Sequence, residues 1–300
     1  MRLFPIYAIG LLLFISCGQV KQPEGSDDSY DETAVESLRN IPLTEIVLGV
    51  YERSVGETTA HDLQPLIDFL EKKTKYDYKV LVYPEVDDLV AGMREGLVNL
   101  GIFTPMTYVQ ARKLLPGIQP LVTATQQSSP TYVGYLVVNE KNQAETLPDL
   151  KGKTVVYVSK DSTSGFLYPR SLIKSWGFDP NKFFKNERFA GTHSLVIEQV
   201  VADSSLVGAV GQGFVDESSL LRHSEAAQLK VVAKTARIPF DCVAATNRLP
   251  YEARSNIRAA LVSIDDDLEV SKELRFRWGY DGFVLSSNQR YDAVAQQFDP

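Results

Sequence analysis

After residue 44, short apolar runs alternate with amphipathic segments, and this alternation limits the possible folds more than any other feature of the chain. Runs without helical periodicity predict buried strands, and apolar stripes of period 3–4 predict the helices between them. Strands are predicted at residues 46–51, 79–83 and 100–103, and helices at 63–70, 89–97 and 105–115. Alternation with short loops is typical of a parallel sheet covered by helices on both faces.

A second unit of the same layout spans residues 139–235, and two long strands at 131–139 and 238–247 are predicted to cross between the units. The predicted fold class is therefore α/β, with two lobes that are each a doubly wound sheet and a cleft between them. The first lobe is predicted to contain residues 43–133 and 240–300, and the second lobe residues 134–239. The tail after residue 251 is predicted to be helical.

A run of hydroxyl side chains, Asp161-Ser162-Thr163-Ser164-Gly165, lies between a predicted strand at 154–159 and a predicted helix that ends at Gly177. The first backbone N–H groups of a helix lack partners within the helix, and together with the helix dipole they attract anions. Three hydroxyl-bearing residues in a row at such a turn indicate a site for a phosphate-like group. An ordinary N-cap, which needs a single hydroxyl, is the alternative interpretation.

The first 17 residues resemble a bacterial lipoprotein signal. Met1-Arg2 precedes an apolar stretch that ends at Ser16-Cys17, and this stretch is short for a membrane span. The prediction is a signal peptide over residues 1–16, followed by a lipidated Cys17 and a disordered polar tether over 17–42. A plain secretory signal with a chance cysteine is the alternative. Cys242 would then have no partner for a disulfide.

The net charge of −7 argues against a nucleic-acid partner or an anionic membrane surface. An anion site in this chain must therefore act through local N–H groups and dipoles. The histidines at 61, 193 and 223 show no paired spacing, so no metal site is expected, and no cofactor is indicated.

Three segments carry a family resemblance: 149–154, 161–169 and 189–193, the last with the sequence Phe-Ala-Gly-Thr-His. Together they resemble the phosphate/phosphite/phosphonate-binding proteins of ABC transporters, the PhnD-like family, over about residues 44–290. The resemblance implies a type 2 periplasmic binding protein that closes on a small oxyanion ligand. It also implies an ABC permease as partner. The signal-like sequence predicts export from the cytoplasm, and a tethered monomer is the default expectation for the oligomeric state.

The resemblance assigns the phosphoryl half of the site to the second lobe. Ser162, Thr163 and Ser164 would hold phosphoryl oxygens through hydroxyl and backbone N–H donors, and His193 would donate to another oxygen. Asp241 would face the ligand and accept from a P–OH or an ammonium group, thereby rejecting sulfate. The alternatives are an unspecialised His193 at a helix start and a turn-capping Asp241.

The first lobe would contribute Tyr51, Phe103, Thr104 and Tyr108. Segment 104–108 corresponds to the family's Gly-Pro-x-x-Tyr, with threonine replacing glycine, and Phe103 would be an aromatic wall without a hydroxyl donor. Tyr51, with Thr58 or Thr59, is a weaker candidate. Gly211-Gln212 stands where aminophosphonate binders place polar or acidic residues, which disfavours aminoethylphosphonate.

Three functions compete on the sequence. The first is a lipid-anchored solute-binding protein of an ABC transporter, and the second is a receptor of the same fold that reports to a membrane signalling partner. The third is a hydrolase with Ser164, His193 and Asp241 as its triad. The order of these residues matches no common triad, and the Gly-x-Ser-x-Gly signature is missing, so an enzyme is not expected.

Overall fold

Two mixed β-sheets with helices on both faces make up the fold, in a computed structural model that describes residues 43–51, 63–216 and 223–298. The strands are β1 Glu45–Tyr51, β2 Asp77–Tyr83, β3 Leu100–Phe103, β4 Gln119–Thr125, β5 Thr131–Asn139, β6 Thr154–Tyr157, β7 Asn186–Phe189, β8 Leu206–Gly211, β9 Leu229–Pro239, β10 Cys242–Ala245 and β11 Gly282–Leu285. The helices are α1 Gln64–Thr74, α2 Val86–Glu95, α3 Pro105–Leu114, α4 Tyr168–Ser175, α5 Pro180–Phe183, α6 His193–Ala202, α7 Tyr251–Val262, α8 Leu268–Trp278 and α9 Asp292–Phe298.

The first sheet has the strand order β11-β4-β10-β3-β1-β2 and the second has the order β7-β6-β8-β5-β9. Parallel pairing joins β1 to β2 and β3, and β6 to β7 and β8. In contrast, β10 runs antiparallel between β3 and β4, and β5 runs antiparallel between β8 and β9. The sheets are therefore mixed and not purely parallel. The antiparallel strands β5 and β10 each follow a point where the chain has crossed from the other lobe.

The lobes are joined at two crossings, each next to one of the predicted crossing strands. There β5 and the end of β9 pair at Thr131–Pro239 and Tyr132–Ile238, and Ile238 packs in a core cluster of the first lobe. The first crossing is a turn at residues 126–130, where Gln127 and Ser128 have positive φ. The second is Phe240-Asp241, between the end of β9 and the start of β10. Pro239 has no N–H to donate, which favours a break between the strands at this point.

Alternation along each strand sends side chains to opposite faces, and each sheet therefore has two hydrophobic clusters. On β1, Ile46 and Leu48 belong to one cluster, whereas Tyr51 belongs to the other. On β5, Leu136 and Val137 divide in the same way. The predicted two-lobed α/β fold class is confirmed, although the exact lobe boundaries stay a prediction.

Strands β4, β7 and β11 were not predicted, and β11 interrupts the tail that the pattern indicated to be helical. Helix α3 was predicted to begin at residue 105, and this start is confirmed, with Thr104 as N-cap and Pro105 at the first position. The predicted signal peptide, Cys17, the tether and Thr58 and Thr59 lie outside the described residues. Within the described ranges, no helix combines the length and the apolarity needed to cross a bilayer.

Candidate functional site

A cleft of about 640 Å³ is lined by residues of both lobes. Its lining residues lie at or near the carboxyl ends of β1, β2, β3, β4, β6, β7 and β8 and at or near the amino ends of β5, β10 and β11. An antiparallel strand starts at the end of the sheet where the parallel strands finish. All of these positions therefore lie along the edge of their sheet that is formed by the carboxyl ends of its parallel strands. Ligands of open α/β sheets bind at this edge.

Among the predicted residues, the cleft brings together Tyr51, Thr104, Ser162, Thr163, Ser164, His193 and Asp241. Phe103 and Tyr108 do not line it. That the cleft-lining residues contact a ligand stays a prediction.

The hydroxyl turn begins with Ser162, whose Oγ accepts a hydrogen bond from the Gly165 N–H at 3.0 Å. Ser162 therefore acts as an N-cap, so the capping interpretation holds for its oxygen. A π-helical turn over Thr163–Leu167 leads directly into α4. A β-carbon on Gly165 would come within 2.4 Å of the Val158 side chain, so only glycine allows the turn to pack this closely on the end of β6.

The next two hydroxyls of the turn are almost fully buried, with Thr163 at 2% exposure and Ser164 at 3%. Thr163 Oγ1 accepts from the backbone N–H of Met106, which lies in the first turn of α3 in the other lobe, at 3.0 Å. Thr163 thus links the lobes and can still donate its own proton. Ser164 lies next to Gly211, where an added β-carbon would be 3.3 Å from Ser164 Oγ.

His193 is the first residue of α6, whose N-cap Thr192 accepts from the Leu195 N–H at 3.0 Å. The His193 Nδ1 atom accepts from the Gly211 N–H at 3.2 Å, and the ring stacks on Phe214 with 4.4 Å between centroids. Since Nδ1 is an acceptor, the neutral ring carries its proton on Nε2. This fixed tautomer turns the imidazole into a donor suited to an oxyanion.

Two first-lobe residues meet at the start of α3. The Tyr51 hydroxyl donates to Thr104 Oγ1 at 3.3 Å, and Thr104 Oγ1 accepts from the Thr107 N–H at 3.4 Å. Asp241 is 6% exposed and comes immediately before β10, so its position is set by the strand pairing that follows. The cleft therefore has a polar side from each lobe.

The prediction that Phe103 and Tyr108 line the cleft needs correction. The structure places both side chains in the hydrophobic core of the first lobe, at 0% exposure. Their rings contact each other edge to face at 6.3 Å between centroids. The Tyr108 hydroxyl donates to Asn288, and burial raises the pKa of Tyr108. Phe103 points to the face of β3 that α2 and α3 cover, so the next residue along the chain, Thr104, reaches the cleft in its place.

Besides Phe214, which stacks on His193, sequence reasoning missed four aromatic residues of the cleft, which we call the aromatic row: Tyr132, Phe240, Tyr280 and Trp278. They come from the start of β5, the second crossing, and the end of α8 with its following loop. Two sequence features could have pointed to these residues. Phe240 precedes the predicted site residue Asp241, and Trp278-Gly279-Tyr280 interrupts a helical pattern. However, only the antiparallel strands of the mixed sheets bring these segments to the cleft.

Charged side chains at the cleft do not favour an anion. Glu85 and Asp161 are acidic, and the guanidinium of Arg277 is paired with Glu273 at 3.0 Å. Attraction for an oxyanion must therefore come from hydroxyls, N–H groups and the positive ends of α3, α4 and α6. Within the described ranges, no group of three His, Cys, Asp or Glu side chains could hold a metal ion.

The arrangement of Ser164, His193 and Asp241 differs from a hydrolase triad. In a triad, the carboxylate accepts from the Nδ1–H of the histidine. Here Nδ1 itself accepts from Gly211, so it carries no proton to give to a carboxylate.

The family described as ABC transporter, phosphonate, periplasmic substrate-binding protein matches residues 48–291 of this chain. The phosphate-import protein PhnD of Mycolicibacterium smegmatis is 28% identical over 244 residues, which cover 78% of this chain and 74% of that protein.

Two solved structures share the fold. A binding protein component of an ABC phosphonate transporter from Pseudomonas aeruginosa aligns with a TM-score of 0.71 at 21% identity over 86% of each chain. PhnD1 from Prochlorococcus marinus in complex with methylphosphonate aligns with a TM-score of 0.68 at 18% identity, over 85% of this chain and 97% of that chain. The fold is thus that of a type 2 periplasmic binding protein. With a family match over most of its length, the chain belongs to the periplasmic substrate-binding proteins of phosphonate ABC transporters, which are binding proteins and not enzymes.

Proposed function

We propose that this protein captures a phosphorus oxyanion (phosphate, phosphite or a phosphonate) between its lobes and delivers it to an ABC transporter. The observation that carries the proposal is the convergence of Ser164 and His193 around Gly211, at the N-termini of the hydroxyl turn and of α6. Oxyanions bind at such helix starts because N–H groups and the dipole both favour negative charge.

The relatives support this ligand class. The matched relative from M. smegmatis is named as a phosphate-import protein, and the P. marinus neighbour was solved with methylphosphonate. Ser162, Thr163 and Ser164 would surround the phosphoryl oxygens, and the Nε2–H of His193 would donate to one of them. Tyr51 and Thr104 would approach from the first lobe, and Asp241 would accept from a protonated oxygen.

Delivery requires that the transporter distinguishes loaded from empty protein. A ligand held by donors from both lobes binds the closed form more tightly and so shifts the population toward it. The closed form would then dock on the permease. The family description favours this transport role over the receptor alternative, because it names a transporter component.

The binding experiment is calorimetric titration of ligand-stripped protein with phosphate, phosphite, methylphosphonate and sulfate. We expect at least one phosphorus oxyanion to bind. The double variant Ser164→Ala, His193→Ala should lose about 2–4 kcal/mol of binding free energy, because two charge-assisted hydrogen bonds are removed. Ser175→Ala is the matched control, since this exposed serine at the end of α4 lies outside the cleft. No heat with any phosphorus oxyanion, or equal loss in the control, would contradict the proposal.

The proposal includes export and a lipid anchor at Cys17, with residues 1–16 removed. Its support is the signal-like sequence together with membership of a periplasmic family. Mass spectrometry of the protein expressed in bacteria is expected to show a diacylglyceryl Cys17 at the N-terminus. Cys17→Ser is expected to release the protein from the membrane fraction, and an unmodified Cys17 in the mature protein would refute the anchor.

A further inference from the structure

The aromatic row forms a continuous wall of the cleft. Tyr132 stacks on Phe240 with 4.6 Å between centroids, Phe240 meets Tyr280 edge to face at 5.9 Å, and Tyr280 lies 6.3 Å from Trp278. Each ring is held by its neighbour, so the wall is preorganised. Aromatic side chains placed in this way recognise flat or apolar groups through stacking and burial.

One end of the row reaches the phosphoryl side of the site. A β-carbon on Gly211 would lie 3.7 Å from the Tyr132 ring, 3.3 Å from Ser164 Oγ and 3.8 Å from His193 Cε1. The missing side chain at Gly211 therefore keeps open the passage between the two donors and the first ring of the row. A substituent on a phosphorus atom bound beside Ser164 and His193 would point along this passage.

The volume of the cleft exceeds what a simple oxyanion needs. The lobes touch in this conformation through the Met106–Thr163 hydrogen bond, and the cleft still measures about 640 Å³. Pockets of about 300–1,000 Å³ hold organic ligands of drug size, whereas a water molecule takes about 30 Å³. Phosphate or methylphosphonate, each with five heavy atoms, would leave most of the cleft, and the aromatic row beyond Tyr132, without contact.

We propose that the preferred ligand is an organophosphonate with an aromatic substituent, which places its phosphoryl group against Ser164 and His193 and its ring on the aromatic row. This inference rests on the proposed function, because it assumes that the phosphoryl group binds at the hydroxyl turn. It names a ligand class that the resemblance to binders of small phosphonates does not imply.

The chain offers a built-in reporter, because it has two tryptophans and they differ in position. Trp278 belongs to the aromatic row, whereas Trp176 is 57% exposed at the end of α4 and lies outside the cleft. In a Trp176→Phe variant, the tryptophan fluorescence comes from Trp278 alone. Titration with benzylphosphonate is expected to shift or quench it, and methylphosphonate is expected to change it much less.

Calorimetry of the full chain with benzylphosphonate, methylphosphonate and 2-aminoethylphosphonate gives the affinities. We expect benzylphosphonate to bind about tenfold tighter than methylphosphonate or more, since burying a ring of this size is worth more than one tenfold step. Trp278→Leu should lower that preference about tenfold, and Trp176→Leu should leave it unchanged.

The outcomes separate the two proposals. If none of the three phosphonates binds, the aromatic-ligand inference fails, and the titrations with phosphate and phosphite then decide whether the proposed function stands. If methylphosphonate binds and benzylphosphonate binds no tighter, or if 2-aminoethylphosphonate binds tightest, the aromatic-ligand inference is wrong and the proposed function stands. A preference for benzylphosphonate that survives in Trp278→Leu and in Phe240→Leu would also overturn the inference, because the ring would then bind elsewhere.

Discussion

The backbone N–H of Met106 donates to the hydroxyl of Thr163 at 3.0 Å, and this buried hydrogen bond joins the first turn of α3 to the hydroxyl turn of the other lobe. It gives Thr163 two tasks, because the same hydroxyl that receives Met106 can donate toward the cleft. One side chain therefore takes part both in the contact between the lobes and in the candidate ligand site.

Thr163→Val should destabilise the protein even without ligand. Valine keeps the shape of threonine but leaves the buried Met106 N–H without its acceptor, which costs about 1–3 kcal/mol. Thermal unfolding of ligand-stripped protein measures the loss. Thr163→Ser retains the hydroxyl and should lose much less, and equal loss in the two variants would mean that the hydrogen bond contributes nothing.

Gly134→Ala should disturb the site without removing any donor. A β-carbon on Gly134 would come within 2.9 Å of the Ser164 carbonyl oxygen, so the hydroxyl turn must move away from β5. Overpacking of this kind costs about 1–3 kcal/mol. We expect part of this cost as a lower free energy of unfolding, measured by thermal unfolding, and the rest as weaker oxyanion binding, measured by calorimetry. The matched control is Gly282→Ala in β11, where the nearest atom is 3.4 Å away. An unchanged Gly134→Ala variant would show that the turn adapts freely.

Asp241→Asn should weaken the discrimination against sulfate. A carboxylate facing the ligand repels an oxyanion that has no proton to offer, whereas an amide can donate to it. Since unfavourable charge contacts cost several kcal/mol, we expect the ratio of phosphate to sulfate affinity to fall by at least about tenfold. Asp68→Asn is the control, because that exposed carboxylate on α1 accepts from Gln64 at 2.7 Å and lies outside the cleft. Undiminished rejection of sulfate would remove Asp241 from this role.

The hydroxyl turn, its helix and the Thr104 cap of α3 could be predicted because they depend on local signals. Strand β6 and residues 161–165 follow each other in the chain, and a helix start recruits its capping hydroxyl within three residues. The same is true of β3, which was predicted with its observed bounds of Leu100–Phe103.

Non-local pairing explains the errors. Whether Phe103 or Thr104 faces the cleft depends on which face of β3 is covered by α2 and α3. The local sequence pattern does not indicate which face these helices cover. Likewise, Trp278 and Tyr280 reach the site only because β11 pairs antiparallel with β4, so that Gly282 lies opposite Thr125. Such long-range register is set by the whole sheet, which is why the aromatic row was missed.

Asp149 should make a contribution to stability that depends on pH. Its carboxylate accepts hydrogen bonds from Thr146 Oγ1 and from the N–H groups of Thr146 and Glu145, and these bonds lower its pKa below the ordinary 3.8. A lowered folded pKa means that the stabilisation is complete above the unfolded pKa and is lost as the pH falls through the folded value. The melting-temperature difference between the native chain and Asp149→Ala should therefore be present at pH 7 and shrink in strong acid. A difference independent of pH would contradict this.

Cys242 should resist alkylation in the native protein. It is 1% exposed in the strand directly after Asp241, and burial raises the pKa of its thiol. The measurement uses a Cys17→Ser variant, which leaves Cys242 as the single cysteine. Because only the thiolate reacts, iodoacetamide should label the native chain at least about a hundredfold slower than the denatured chain. Labelling then requires opening of the sheet around β10, and a ligand that binds only the folded protein should slow it further. Fast labelling of the native chain, unchanged by a ligand that calorimetry shows to bind, would mean that β10 opens independently of the cleft beside it.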